Sequence, residues 1–173
     1  MRTIKFVYIA AIATTTLLSA CSQPPAPPTA VVKPDTSSAL TNIRAAGNKF
    51  DSSVEVHPLR DPSVDGLLEQ ARKLEAQQQP AKALETLSGA LKIAPNSPDL
   101  LQYQAELFVE TNDWKQAQTA AAKSYDLGPK VGALCARNAQ TLIEAGNALS
   151  DVALATQAKQ KMAGCRVPAP NRF

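Results

Sequence analysis

Residues 62–95 read PSVDGLLEQARKLEAQQQPAKALETLSGALKIAP, and residues 96–129 read NSPDLLQYQAELFVETNDWKQAQTAAAKSYDLGP. These two stretches decide the fold, because a shift of 34 positions brings their apolar, small and proline residues into register. Leu67, Ala71 and Leu74 return as Leu101, Ala105 and Phe108; Ala83, Leu87, Ala90 and Pro95 return as Ala117, Ala121, Ser124 and Pro129. Within each copy the spacing is helical. Leu67, Ala71 and Leu74 fall on one face of a first helix with Leu68 beside it, and Ala83, Leu84, Leu87, Ala90 and Leu91 follow the same rule in a second. Asp61 before Pro62 is a start signal, since the carboxylate caps free amides and proline suits the first turn. Ser97-Pro98-Asp99 repeats it, and Gln77-Gln78-Gln79-Pro80 separates the two helices of the first pair.

A fixed period of two antiparallel helices resembles the tetratricopeptide repeat. The resemblance implies an all-α fold, a short α-solenoid of about three antiparallel helix pairs over 62–165. Ala71 and Ala83 are small where two helices cross closely, and Leu74, Leu87 and Phe108 fill the space between pairs. Thr111-Asn112-Asp113-Trp114-Lys115-Gln116-Ala117 looks like the turn of this family, with Trp114 a packing residue. A third copy begins near Gly132 with Cys135, Ala139 and Leu142, turns at Gly146-Asn147, and continues through Ala155 and Ala158. It departs from the pattern at Asp151, which stands at the place of the small alanine and leaves open whether this pair is a standard copy or a cap.

The first 61 residues are of another kind. Arg2 and Lys5 precede an uncharged apolar run from Phe6 to Leu18, the order of a secretory signal and shorter than the roughly 20 residues a membrane span needs. Leu18-Ser19-Ala20-Cys21 resembles the lipobox of bacterial lipoproteins. That resemblance implies a signal peptide over 1–20 and diacylglycerol and fatty acyl groups on Cys21. With Ser22 rather than Asp after the cysteine, it also implies a lipid anchor in the outer membrane, at its periplasmic face. Two or more acyl chains give stable attachment. Residues 21–38 carry Pro24, Pro25, Pro27, Pro28 and Pro34, a spacer that at about 3 Å per residue reaches roughly 50 Å. In 39–61 no element is assigned: Ala39 to Ala46 has the composition of a short helix, Ser53 to Val56 alternates like a strand, and His57, the single histidine, precedes Pro58. Residues 166–173 are a C-terminal tail.

Removal of 1–20 leaves 16 basic residues against 15 acidic. A net charge near +1 gives little long-range attraction for a polyanion, so nucleic acid is not an expected partner. After Asp151 the chain holds Lys159, Lys161, Arg166 and Arg172 and no acid, which reads as a solvated basic end, with an anionic partner such as lipid headgroups or peptidoglycan as the alternative. No HExxH, GxSxG or phosphate-binding glycine loop is present. Asp65, Glu69, Glu75, Asp99, Glu106 and Glu110 are distributed along the helices as solvated faces are, and neither a catalytic nor a metal site is expected.

In the repeat family the first helix of each pair lines a concave groove that receives a peptide or a partner helix. Carried over by alignment, that groove is Leu68, Arg72, Glu75, Gln102, Glu106, Val109, Ala136, Gln140 and Ile143. It lacks the Lys/Asn/Arg cluster with which related adaptors clamp a terminal carboxylate. The same architecture makes Cys135 and Cys165 neighbours at one end of the last pair. A disulfide follows in an oxidising compartment; two small reduced core residues are the alternative. The expectation is a non-enzymatic scaffold without cofactor, binding an envelope protein through the groove. Its settings are secretion or pilus machinery, outer-membrane assembly or peptidoglycan synthesis; a self-associating homo-oligomer and an accessory regulator of an envelope hydrolase are the rivals.

Overall fold

The computed structural model describes residues 35–50 and 60–166. The signal segment, Cys21, the proline-rich stretch up to Pro34, Ser53 to Val56, His57 and the tail beyond Arg166 lie outside the described residues. Among those described, seven helices follow one another: α1 (Thr36–Lys49), α2 (Pro62–Ala76), α3 (Pro80–Ile93), α4 (Pro98–Glu110), α5 (Trp114–Leu127), α6 (Gly132–Ala148) and α7 (Val152–Gly164). Helices α2 to α7 form three antiparallel pairs stacked in order. Proline occupies the first turn of α2, α3 and α4, and Asp61, Asp113 and Asp151 cap α2, α5 and α7 by accepting backbone N–H bonds from Ser63, Gln116 and Leu154 at 2.9, 3.1 and 2.9 Å. Each cap satisfies an amide that a helix start leaves without an internal partner.

The three turns inside the pairs share one geometry. Gln78, Asn112 and Ser150 adopt left-handed φ of 60°, 62° and 57°. The next residue then donates its N–H across the turn, Gln79 to Leu74 O, Asp113 to Phe108 O and Asp151 to Gly146 O, at 2.9, 2.8 and 2.8 Å. Only Asn112 belongs to a residue type that enters this region readily. The left-handed residues are spaced 34 and then 38 apart, which explains the departure at Asp151. Helix α6 has 17 residues against 13 in α4, one turn more, so every later position is displaced by four. Asp151 is the cap of α7, and the small residue equivalent to Ala117 is Ala155, buried against the preceding helix. The third pair is a standard hairpin with a lengthened first helix.

The core runs through the stack. Val64, Leu68, Ala71, Ala83, Leu87, Ala90, Leu100, Tyr103 and Leu107 join the first pair to the second. Ala105, Ala120, Ala121, Leu142, Ile143 and Ala158 join the second to the third. At the far end Cys135 and Cys165, 30 positions apart in sequence, form a disulfide with Cα atoms 5.5 Å apart. A covalent loop of that length restricts the unfolded chain. Reduction is expected to lower the unfolding free energy by about 3–4 kcal/mol, read from urea midpoints with and without reductant.

Residues 36–49 straddle the proline-rich spacer and the stretch for which the sequence assigns no element. Both boundaries are corrected here: the segment is α1, capped by Asp35, which accepts from the amides of Ser37 and Ser38 at 3.1 and 3.3 Å. Ala39, Leu40, Ile43, Ala46 and Gly47 are its buried residues, three small ones beside a leucine and an isoleucine. The small residues let the helix approach another closely.

Candidate functional site

Helix α1 occupies the concave face. It lies antiparallel to α6 and crosses α4. Ala39 packs in one cluster with Ala145, Asn42 donates to Glu144 Oε1 at 3.1 Å, and Gly47 sits over the Arg137 side chain near the start of α6. Ile43 is fully buried in the cluster that contains Val109, Trp114 and Ala117, and Ala46 packs with Cys135, Ala136, Ala139 and Cys165. The Trp114 indole N–H donates to Asn112 Oδ1 at 2.9 Å, so this ring ties the turn before α5 to the helix lying in the groove.

The groove read from the sequence is therefore filled by the chain's own helix. Of its nine residues, Val109, Gln102 and Ala136 are wholly buried, Glu106 is 1% exposed, and Leu68 and Ile143 are core. Leu68 belongs to the packing between the first two pairs, and Val109 lies under α1. Only Arg72 is exposed, while Glu75 and Gln140 are half-buried. The reading of Glu75, Glu106 and Glu110 as a solvated face is also corrected, because these carboxylates lie where α1 covers α4.

At the centre is Glu106. It accepts from Arg44 Nε of α1 at 3.2 Å, from Arg137 Nε of α6 at 2.8 Å, and from Gln102 Nε2 of its own helix at 3.0 Å. Gln102 also donates to Thr141 Oγ1 at 2.9 Å. The other arm of Arg44 reaches Glu75, which accepts from the Tyr103 hydroxyl at 2.8 Å. Burial works against a charged Arg44, but the hydrogen bond to Glu75 and the fields of Glu106 and Glu75 outweigh it, and its pKa is raised. Burial also raises the Tyr103 hydroxyl above its ordinary range, with the Glu75 bond adding to the effect. Residues from three helices thus converge on one buried carboxylate, and α2 joins the network through Glu75 and Arg44. A fully desolvated charge of this kind is tolerable only when paired and hydrogen-bonded, so the network specifies where α1 must lie.

Glu110, one turn further along α4, is less well provided for. Its Oε2 is buried without a partner, and its pKa is raised, first by burial and then by the fields of Glu75 and Glu106, with Arg44 opposing. A carboxyl whose pKa is higher in the folded than in the unfolded chain adds stability below the unfolded value, and that stability is lost as pH rises through the folded value. Glu110→Gln should accordingly be more stable than the parent at neutral pH, with the difference vanishing below about pH 4. Urea midpoints across pH 3.5–7.5 check this; a difference independent of pH would refute it. Among the described residues no group of three His, Cys, Asp or Glu side chains is placed to hold a metal ion, and no helix is long and apolar enough to cross a membrane.

Two comparisons bear on this arrangement. A tetratricopeptide repeat model matches residues 74–137, the end of α2 through the start of α6. The solved structure of the globular C-terminal domain of LpoP from P. aeruginosa is similar at 26% identity and a TM-score of 0.55, covering 61% of this chain and 99% of that one. Comparison with curated proteins finds no match. By period, turn geometry and these two likenesses, helices α2 to α7 are tetratricopeptide-like repeats.

Proposed function

We propose that this chain is a non-enzymatic lipoprotein of the bacterial envelope that binds a protein of the peptidoglycan-synthesis machinery. On this reading it is anchored through acyl chains on Cys21 at the periplasmic face of the outer membrane. The observation that carries it is the likeness of the repeat domain to the LpoP C-terminal domain, at 26% identity over nearly the whole of that domain. It favours peptidoglycan synthesis over secretion, pilus or outer-membrane assembly. The lipobox and the proline-rich spacer suit a domain held away from a membrane. The buried ion network belongs to packing, since its carboxylates are engaged by α1 and α6.

Because Leu68 is core between the first two pairs and Val109 is buried under α1, Leu68→Asp or Val109→Asp would unfold the domain and says nothing about partner binding. The direct test is recovery of a peptidoglycan synthase from envelope extracts by the lipidated chain, followed by glycan polymerisation from lipid-linked precursor with and without it. Recovery and a several-fold faster polymerisation are expected. No recovery and an unchanged rate would overturn the reading, and recovery of a hydrolase instead would transfer the role to the degradative machinery. Metabolic labelling with a clickable fatty acid tests the anchor; absence of label that depends on Cys21 would remove it.

A further inference from the structure

With the concave face filled, a partner has to meet another surface. One end of the domain is built unlike the rest. The end of α1, the start of α6 and the end of α7 come together there: the Cys135–Cys165 disulfide and the Gly132 N–H bond to Cys165 O (2.8 Å) tie α6 to α7, and the Phe50 carbonyl lies 4.0 Å from where a side chain on Gly132 would start. Four cations collect at this end. Lys130 and Lys161 both sit over the ring of Tyr125, at 4.4 and 4.0 Å, and Arg166 lies 5.8 Å from the Phe50 ring. Lys49 closes α1. Among the described residues none of the four forms an ion pair with a carboxylate, whereas Arg44, Arg60, Lys73 and Arg137 all do. Lys130 is held there by donating to the Tyr125 and Asp126 carbonyls at the end of α5, whereas Lys161 reaches the same ring against the repulsion of a second ammonium group.

Beside these charges is a cleft of about 360 Å³, lined mainly by α1 with Gln140 of α6 and Met162 of α7. Ala45, Ala46, Phe50 and Met162 form its apolar lining, with Lys49 and Gln140 at the polar side. The volume suits one large side chain, and the Phe50 ring beside it carries Arg166 on its face.

We propose that this cleft and its basic rim receive an acidic segment of the partner protein, with one aromatic or large aliphatic side chain in the cleft and flanking Asp or Glu residues on Lys49, Lys161 and Arg166. Rings fix the cations in place, so less side-chain freedom is lost when an anion arrives. A lipid surface fits less well, because Ala46 at the floor is buried and a bilayer presents no protruding side chain. The inference rests on the reading that the domain docks an envelope protein and adds the surface it uses.

The test uses the full oxidised chain carrying Cys21→Ser, so that no acyl chain contributes, and a fluorescein-labelled peptide with one tryptophan among alternating glutamates. Binding should appear at low salt, weaken as salt rises, and be lost when the peptide's glutamates become glutamines or its tryptophan becomes alanine. Lys161→Glu with Arg166→Glu, and separately Ala45→Trp, should each weaken binding about tenfold or more while thermal unfolding stays near the parent's. Equal binding by these variants, no binding by the parent, or equal uptake by phosphatidylglycerol vesicles would overturn the proposal. The two readings fail separately. Synthase recovery that survives all three substitutions removes this surface alone, and peptide binding without synthase recovery removes the functional reading alone.

Discussion

Replacing Arg44 and Arg137 together with methionine is expected to destabilise the domain by about 3–5 kcal/mol, among the largest effects available without cutting into the apolar core. The size follows from what is left behind. Both arginines are partly exposed, with side-chain exposures of 46% and 33%, and lose little on their own account when removed. Glu106 at 1% exposure loses every cationic partner, with only the Gln102 amide still donating to it. A third change, Glu106→Gln, should recover most of the loss, because it removes the uncompensated charge that the first two created. Urea unfolding of the parent, the double and the triple variant measures this. Equal stabilities of double and triple would show that Glu106 is not held by these arginines. The result also reports on α1, since Arg44 is its one described ion-pairing residue in the groove.

Gly146→Ala should destabilise by about 2–3 kcal/mol although alanine is the better helix former by about 1 kcal/mol. The two effects compete, and geometry decides between them. A Cβ on Gly146 would stand 2.8 Å from the backbone N of Ala155 and 3.0 Å from both Ala155 Cβ and the Asp151 carbonyl. Backbone atoms at a helix start have no rotamer to change, so α6 and α7 would have to separate. Gly66 is the control: a Cβ there meets nothing within 4 Å, and Gly66→Ala in α2 should stabilise by up to about 1 kcal/mol. Thermal melting of the two variants side by side checks the pair; a stabilised Gly146→Ala would mean that the two helices are not in close contact.

These predictions share a consequence for function. The tetratricopeptide-like array is usually understood through its concave groove, and here that face is part of the folded core. Partner binding has to be sought on the outside of α1 and at the ends of the stack, where substitutions leave the fold intact and a loss of binding can be interpreted. The cleft lined mainly by α1 and its cations satisfy that condition.

The local features were legible without coordinates, because each depends on residues within one or two helices of one another. The 34-residue recurrence, the proline starts, the Asp61 cap and the turn around Asn112 are encoded by spacing and residue type alone. Even the lengthened α6 left a trace, the displaced Asp151, whose meaning depends on where α7 is capped. What only the tertiary structure decided is which polar residues are inside. Glu106, Gln102 and Arg137 have the same spacing as a solvated helix face, and nothing local separates them from Glu69 or Glu85. They became a buried network because α1, 62 positions earlier at Arg44, returns to cover them. Periodicity records which side of a helix is apolar. It does not record that a polar side will be roofed by another helix, since that depends on the path of the chain between them and on charges meeting across it.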